Sequence, residues 1–266
     1  MFRLWLATKE HSIKNFDLIV AMEFVDWFHH YQSIRQRFGY STQKDQEAAN
    51  ILSNMIKRKA LDKKVLQRKI AGKQVMVIGS GPGLEKNLGF IKKNRKFIKI
   101  VANGAAQVLI ERKIKPNIVV TDLDGNPSFL QRAEKMGATM VVHAHGDNIA
   151  MLKKLVPKFR HVIGSTQVMP VENVYNFGGF TDGDRCVFLA EEFAAKEIIL
   201  VGMEFGHHIN RHPREVIRNG NLKNEKMKVA RKLLEMLAKQ ASQSNLFDTS
   251  TRPIKGFKHL IINEDK

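Results

Sequence analysis

The sequence has 266 residues, 43% of them apolar, enough for a sizeable core arranged as one large domain or as one domain with an extension. Its apolar runs are too short to span a bilayer, and a single cysteine, Cys186, excludes an internal disulfide and suits a reducing cytoplasm. Forty-four basic against 26 acidic residues give a net charge of +18, but the excess is spread along the chain, residues 1–72 already holding 13 basic and seven acidic side chains. Zinc-finger spacing, a basic region with heptads and the aromatic motif of RNA-binding sheets are all missing from the sequence. The charge therefore reads as a basic surface, and nucleic acid is not the expected partner. The first residues show no sustained apolar stretch with a cleavage site, so no signal peptide is expected.

Residues 1–72 read as a helical region. Phe16, Ile19, Val20, Phe24, Trp27 and Phe28 fall near helical spacing, as do Ala48, Ile51, Leu52, Met55 and Ile56, and residues 43–71 contain neither Gly nor Pro. At residue 73 the pattern changes, and an α/β domain is expected over 73–266. Short β-branched runs predict strands at 75–78, 98–102, 118–121, 139–143, 161–163 and 198–201. Amphipathic stretches predict helices at 84–94, 105–113, 128–136, 149–155 and 182–194. Such alternation argues for an α/β fold, a mainly parallel sheet with helices on both faces. Residues 221–240 add one more helix, and those after 245 read as a terminal strand or hairpin turning at Arg252 and Pro253.

In such a sheet ligands bind beyond the carboxyl ends of the strands. Five clusters follow predicted strand ends. The first is Gly79-Ser-Gly-Pro-Gly83, where glycines let the backbone approach a phosphate at a helix N-terminus. It lacks the sixth-position glycine and the ribose-binding acid of the dinucleotide fingerprint, and it is no Walker loop. Asn103 and Gly104 follow the second strand. Asp122 and Asp124, two residues apart after the third, can point at one cation, and magnesium prefers such oxygen ligands. The alternative there is an Asx-turn or a helix cap, which would use one Asp and not two.

His143, His145, Asp147 and Asn148 follow the fourth strand, with both histidines on one face if that strand runs to residue 145. This set could bind a transition metal, a heterocycle or a phosphate, or His143 could be a buried core residue. Thr181 caps a helix whose first turn holds Asp182, Asp184 and Arg185, and Cys186 heads its apolar face as a core residue. Gly202-Met-Glu-Phe-Gly206 ends the last strand, and the basic loop after it (His207, His208, Arg211, His212, Arg214, Arg218) could clamp phosphates.

Residues 100–106, Ile-Val-Ala-Asn-Gly-Ala-Ala, and 115–124, Lys-Pro-Asn-Ile-Val-Val-Thr-Asp-Leu-Asp, resemble the start of the thiamin pyrophosphokinase catalytic domain. The ordered set 79–83, 121–125, 143–148, 179–185 and 202–206 is closer to the archaeal 6-hydroxymethyl-7,8-dihydropterin pyrophosphokinases, across residues 70–210. A related domain also occurs in bacterial proteins tied to flagellin glycosylation. The resemblance implies a thiamin-pyrophosphokinase-like fold with an N-terminal helical extension. It also implies transfer of diphosphate from ATP to the pterin alcohol, in folate or methanopterin synthesis. Residue by residue, Asp122 and Asp124 would ligate Mg2+, and Asp182 would match the acid of a second motif. Gly79, Ser80, Gly81, Asn103 and Arg185 would contact ATP, and His143, His145, Asp147, Asn148 and Asp184 the pterin. Gly83 departs from the Ser expected in that loop. The N-terminal helices could cover the sheet, shape the pocket or form a homodimer.

Three other readings stay open at this level: a metal-dependent hydrolase using His143, His145 and Asp147, a transferase acting on thiamin or a sugar, and a non-catalytic nucleotide or nucleic-acid binder.

Overall fold

The computed structural model describes residues 15–205, 220–241 and 243–262, with side chains from residue 27 onward. The chain start, the side chains of Phe16, Ile19, Val20 and Phe24, and the basic loop at 207–218 lie outside the described residues. The chain divides into two compact units, Met1–Thr42 and Gln43–Lys266. In the first, helix α1 runs over Asn15–Phe38. Gly39 follows it with φ of +71°, and the Tyr40 amide donates back to the Arg35 carbonyl at 3.1 Å, a glycine helix stop.

The second unit opens with helices α2, Thr42–Ile56, and α3, Lys64–Ile70. The change of pattern at residue 73 therefore lies inside this unit, whose core takes Leu66 and Ile70 from α3. There follow strand β1, Gln74–Ile78, helices α4, Gly83–Lys86, and α5, Leu88–Lys93, strand β2, Ile98–Ala102, helix α6, Asn103–Glu111, and strand β3, Ile118–Thr121. Helix α7, Pro127–Lys135, strand β4, Thr139–Ala144, helix α8, Ile149–Leu155, and strands β5, Val162–Thr166, and β6, Val174–Tyr175, come next. Helix α9, Asp182–Glu192, strand β7, Glu197–Val201, helix α10, Gly220–Gln240, and strands β8, Asn245–Asp248, and β9, Lys258–His259, complete the order. The single helix expected at 84–94 is broken at Asn87, whose side chain donates to the Gly83 carbonyl at 2.8 Å.

These strands form one sheet in the order β6-β5-β4-β3-β2-β1-β7-β8-β9, every neighbouring pair parallel. The expectation of a C-terminal hairpin is thus corrected, because β8 pairs parallel with β7 and β9 parallel with β8, which a tight reversal at Pro253 cannot produce. Strands buried on both faces must be apolar throughout, and β3 and β4 are buried at every position. One face carries Val75, Val77, Ile100, Ile118, Val120 and Ile198 against α9 and α10, with Cys186 buried among them as expected. The other is covered by helices that include α6, which packs on β2 and β3.

The chain steps outward from β1 to β6, and α9 then carries it back across β3, β2 and β1 to β7 on the far side of β1. Two consequences place the site. The order reverses between β1 and β7, where ligand crevices form in such sheets. The same crossover delivers the N-terminus of α9 to the carboxyl edge of β3. Among the described residues, no helix is long and apolar enough to cross a membrane.

Candidate active site

The acidic turn after β3 is built by a local hydrogen bond. The buried Thr121 hydroxyl accepts the Leu123 amide at 2.8 Å, and Leu123, fully buried, takes a left-handed φ of +70°. With Leu123 turned inward, Asp122 and Asp124 stay outside, and the Asp124 amide donates to Asp122 Oδ1 at 3.2 Å. The first turn of α9 adds Asp182. Ligand oxygens of Asp122, Asp124 and Asp182 all lie within 4.8 Å of one another. Asn103, at the start of α6, donates from Nδ2 to Asp124 Oδ1, and its own Oδ1 is buried with no hydrogen-bond partner.

The electrostatics of this cluster are unbalanced. Desolvation alone would raise the Asp122 carboxyl, but hydrogen bonding with His145 and Asp124 outweighs it and holds the value at about 2. Asp182 goes the other way: burial, then the charges of Asp122 and Asp124, push it well above the usual carboxylate range. Three acids crowded at the positive end of a helix, one driven to keep its proton by the other two, are arranged for a cation to displace that proton. Octahedral magnesium holds oxygens at 2.0–2.1 Å, which places adjacent ligands about 3 Å apart and opposite ones about 4 Å apart. The oxygen-only donor set fits that ion, and the acids lie close enough to converge on one.

The histidines follow β4. His143 and His145 do share a face, their rings stacked with centroids 6.0 Å apart. Their environments differ. His143 is 1% exposed, with Nδ1 3.3 Å from Ser165 Oγ, and burial followed by the charge of Arg185 moves it well below its ordinary value, leaving it neutral. His145 reaches the acids, with Nε2 3.7 Å from Asp122 Oδ2. Asp147 is exposed, and its amide donates to His145 Nδ1 at 3.3 Å. The only set of three metal-ligating side chains among the described residues is the acidic one, so the His-x-His-x-Asp ligand set of the hydrolase reading does not form.

At the switch point the glycine-rich loop is pinned to the end of β7. The Gly79 amide donates to the Val201 carbonyl at 2.9 Å and the Gly81 amide to the Gly202 carbonyl at 2.8 Å. Gly202 has φ of +65°, and a Cβ there would meet the Gly79 carbonyl oxygen at 2.5 Å, so only glycine fits. The Glu204 carboxylate fills the loop, accepting the Gly83 amide at 2.8 Å on Oε1, while Oε2 lies buried against Gly81 without a partner. Burial raises its carboxyl above the usual range.

Residues 48–210 match the family model described as 6-hydroxymethylpterin diphosphokinase MptE-like. A 6-hydroxymethyl-7,8-dihydropterin pyrophosphokinase of Methanocaldococcus jannaschii is 40% identical over 233 residues, covering 81% of this chain and 96% of that protein. Proteins of the same name from Pyrococcus furiosus and Methanothermobacter thermautotrophicus are 42% and 38% identical, covering 81% and 73% of this chain and 94% and 83% of theirs. The chain belongs to this diphosphokinase family. A solved MAf glycosyltransferase from Magnetospirillum magneticum AMB-1 is also similar, with a TM-score of 0.49 at 16% identity over 79% of this chain and 38% of that one.

In this family member several residues expected at the ligands are taken up by the scaffold. Asp184 is fully buried and accepts the amides of Phe180 and Thr181, both at 2.7 Å, together with the Thr181 hydroxyl, so it caps α9. Arg185, 5% exposed, donates to the carbonyls of Gly179 at 2.9 Å and Phe180 at 2.8 Å and to Gln167 Oε1 at 3.1 Å, a buried brace of the loop before α9. Asn148 donates to the Asp122 and His143 carbonyls at 2.7 and 2.8 Å and accepts the His145 amide at 3.1 Å, tying the acidic turn to the histidine loop. The Gly81 amide, expected on a phosphate, is bonded to Gly202. Asp45 of α2 belongs to the same framework. It is 3% exposed and accepts the Gly146 amide at 2.7 Å and Gln167 Nε2 at 2.8 Å. It sits on a helix with no motif around it, and no sequence signal marked it.

Proposed function

We propose that this protein transfers the diphosphate group of ATP to the hydroxymethyl oxygen of 6-hydroxymethyl-7,8-dihydropterin, with Mg2+ held by Asp122, Asp124 and Asp182, in the synthesis of a folate or methanopterin. The observation that carries the reading is the convergence of three carboxylates, from the β3 turn and the α9 N-terminus, within 4.8 Å at the carboxyl edge of a chain similar to pterin pyrophosphokinases over most of its length.

In the reaction the alcohol oxygen bonds to the β-phosphorus, the bond from that phosphorus to the bridging oxygen breaks, and AMP leaves with that oxygen while the hydroxyl proton passes to water. Magnesium at the acids would neutralise charge on the phosphates and align them for attack. The chain's own part is positioning. Asn103 orients Asp124, Asn148 fixes the carbonyl of Asp122 and the approach of His145, and the Thr121 and Leu123 turn holds the two acids apart. Little covalent chemistry is asked of the side chains, which suits a phosphoryl-type transfer.

The reading is tested by incubating the protein with ATP, Mg2+ and single alcohols: hydroxymethyldihydropterin, thiamin and a sugar. AMP and a pterin diphosphate are expected from the first alone. AMP formed only with thiamin or the sugar would move the substrate assignment, and ADP in place of AMP would reject diphosphate transfer.

A further inference from the structure

We propose that the amino edge of the sheet carries a second, non-catalytic anion site, a basic pocket for a small ligand bearing two or more linked phosphates. A cavity of about 510 Å³ opens there, lined by Lys92, Arg95, Lys99, Arg112, Lys113 and Lys115, with no carboxylate in its wall. Strands β2 and β3 begin beside it and helices α5 and α6 end beside it, so it lies at the opposite end of the strands from the acids. A strand of five residues spans about 16 Å, which keeps one small ligand from touching both places.

Cations at helix C-termini often do no more than offset the helix dipole, and Lys92 and Arg112 stand where such residues belong. Arg112 also meets a carboxylate, Glu85, at 3.3 Å outside the pocket wall. Lys99 reaches the end of helix α5 from strand β2: it is 5% exposed, and its ammonium donates to the carbonyl of Asn94, the C-cap of that helix, and to those of Arg95 and Phe97, at 3.4, 3.3 and 3.0 Å, oxygens that carry no net charge to offset its own. Burial lowers its pKa. Crowding of like charge extends past the wall: Lys69, already lowered by burial, is lowered further by Lys115. Six cations lining one cavity, with no carboxylate among the lining residues, repel one another, and a multivalent anion relieves that repulsion.

Size and lining select the ligand class. The volume falls in the range of small-molecule pockets and the shape is concave, unlike a surface that tracks a duplex backbone. Ile91 and Ile114 are the apolar side chains among the lining residues, against six cations, so the charged groups of the wall recognise the phosphates of the ligand.

The test uses the full chain in magnesium-free buffer near physiological salt, with titration calorimetry against inorganic pyrophosphate, ATP and a 20-nucleotide RNA. Saturable binding of pyrophosphate is expected, retained in Asp122→Asn/Asp124→Asn and weakened at least tenfold in Lys113→Glu/Lys115→Glu. The lysine variant should keep its thermal stability and its rate of AMP release at saturating substrate. Equal affinity for pyrophosphate and ATP makes the linked phosphates the whole ligand and supports the site, whereas binding of ATP with none of pyrophosphate overturns it. The proposal is overturned by no saturable binding, by binding that survives the lysine reversals, by binding that vanishes with the acidic pair, or by RNA binding alone.

Discussion

Carboxylate oxygens of Asp122 and Asp182 lie within 4.8 Å of each other, and the charge of Asp122 adds to burial in pushing the Asp182 carboxyl well above the usual range. The two residues come from different elements, the β3 turn and the crossover helix α9, so the fold itself brings this electrostatic conflict together. Active sites store such conflict where a ligand resolves it.

Removing the conflict should stabilise the metal-free protein. Asp182→Asn keeps the shape and no longer places a third acid among two charges. We expect a gain of about 1 kcal/mol, or ~2–4 °C in melting temperature, at neutral pH without metal, together with loss of diphosphate transfer. Thermal melts with chelator present check this, and a variant that melts lower than wild type would contradict it.

The same residue fixes a pH dependence. Asp182 binds its proton more tightly folded than unfolded, so its contribution to stability is full below the ordinary carboxylate range and is lost as pH rises through its raised value. Asp122 runs the other way: its contribution is present above the ordinary range and is lost only as pH falls toward about 2. Magnesium must displace the Asp182 proton, so its affinity should rise with pH, and the melting-temperature gain from Mg2+ should be larger at about pH 8 than at about pH 5. Equal gains would show that no proton is displaced.

Asn148 is predicted to matter for architecture before chemistry. Asn148→Ala leaves the Asp122 and His143 carbonyls and the His145 amide without their partner in a buried place, at a cost of about 2–3 kcal/mol. Denaturant unfolding should show that loss, with AMP release reduced because the acidic turn and His145 lose their common tie. Unchanged stability would remove Asn148 from the scaffold.

At the switch point, Gly81→Ala would bring a Cβ to 2.1 Å from Glu204 Oε2 and 2.8 Å from the Gly202 carbonyl oxygen. A loss of about 1–3 kcal/mol is expected. Pairing it with Glu204→Ala should recover part of that loss, since one of the two clashes is with a side chain that can be removed. Strict additivity in the double variant would show that Glu204 does not occupy the loop.

The parallel sheet was legible because its strands are buried on both faces and read as continuous apolar runs, Ile118–Thr121 being one. The acid pair was legible because both members lie in one turn. Asp182 entered through a resemblance, since nothing local says that α9 crosses back to β3. The scaffold contacts of Asp184, Arg185 and Asn148 were not legible for one physical reason: a polar residue beside a strand end can face the ligand or hold the loop, and spacing does not separate the two. Asp45 and Glu204 became visible only through contacts distant in sequence. The hairpin alternative at Arg252 and Pro253, between β8 and β9, fails because the two strands pair parallel, a matter of where the segment crosses the sheet edge that local turn residues do not encode.

The most direct measurement is AMP release from ATP with Mg2+ and 6-hydroxymethyl-7,8-dihydropterin, comparing wild type with Asp124→Asn. Asp124 sits in the exposed arm of the acidic turn, so the substitution tests the cation site without disturbing the core. Pterin-dependent AMP release by the wild type is predicted, with kcat/KM lower by at least about a hundredfold in the variant and its thermal melt unchanged in the absence of metal. Release at the wild-type rate by a folded Asp124→Asn variant would contradict the account.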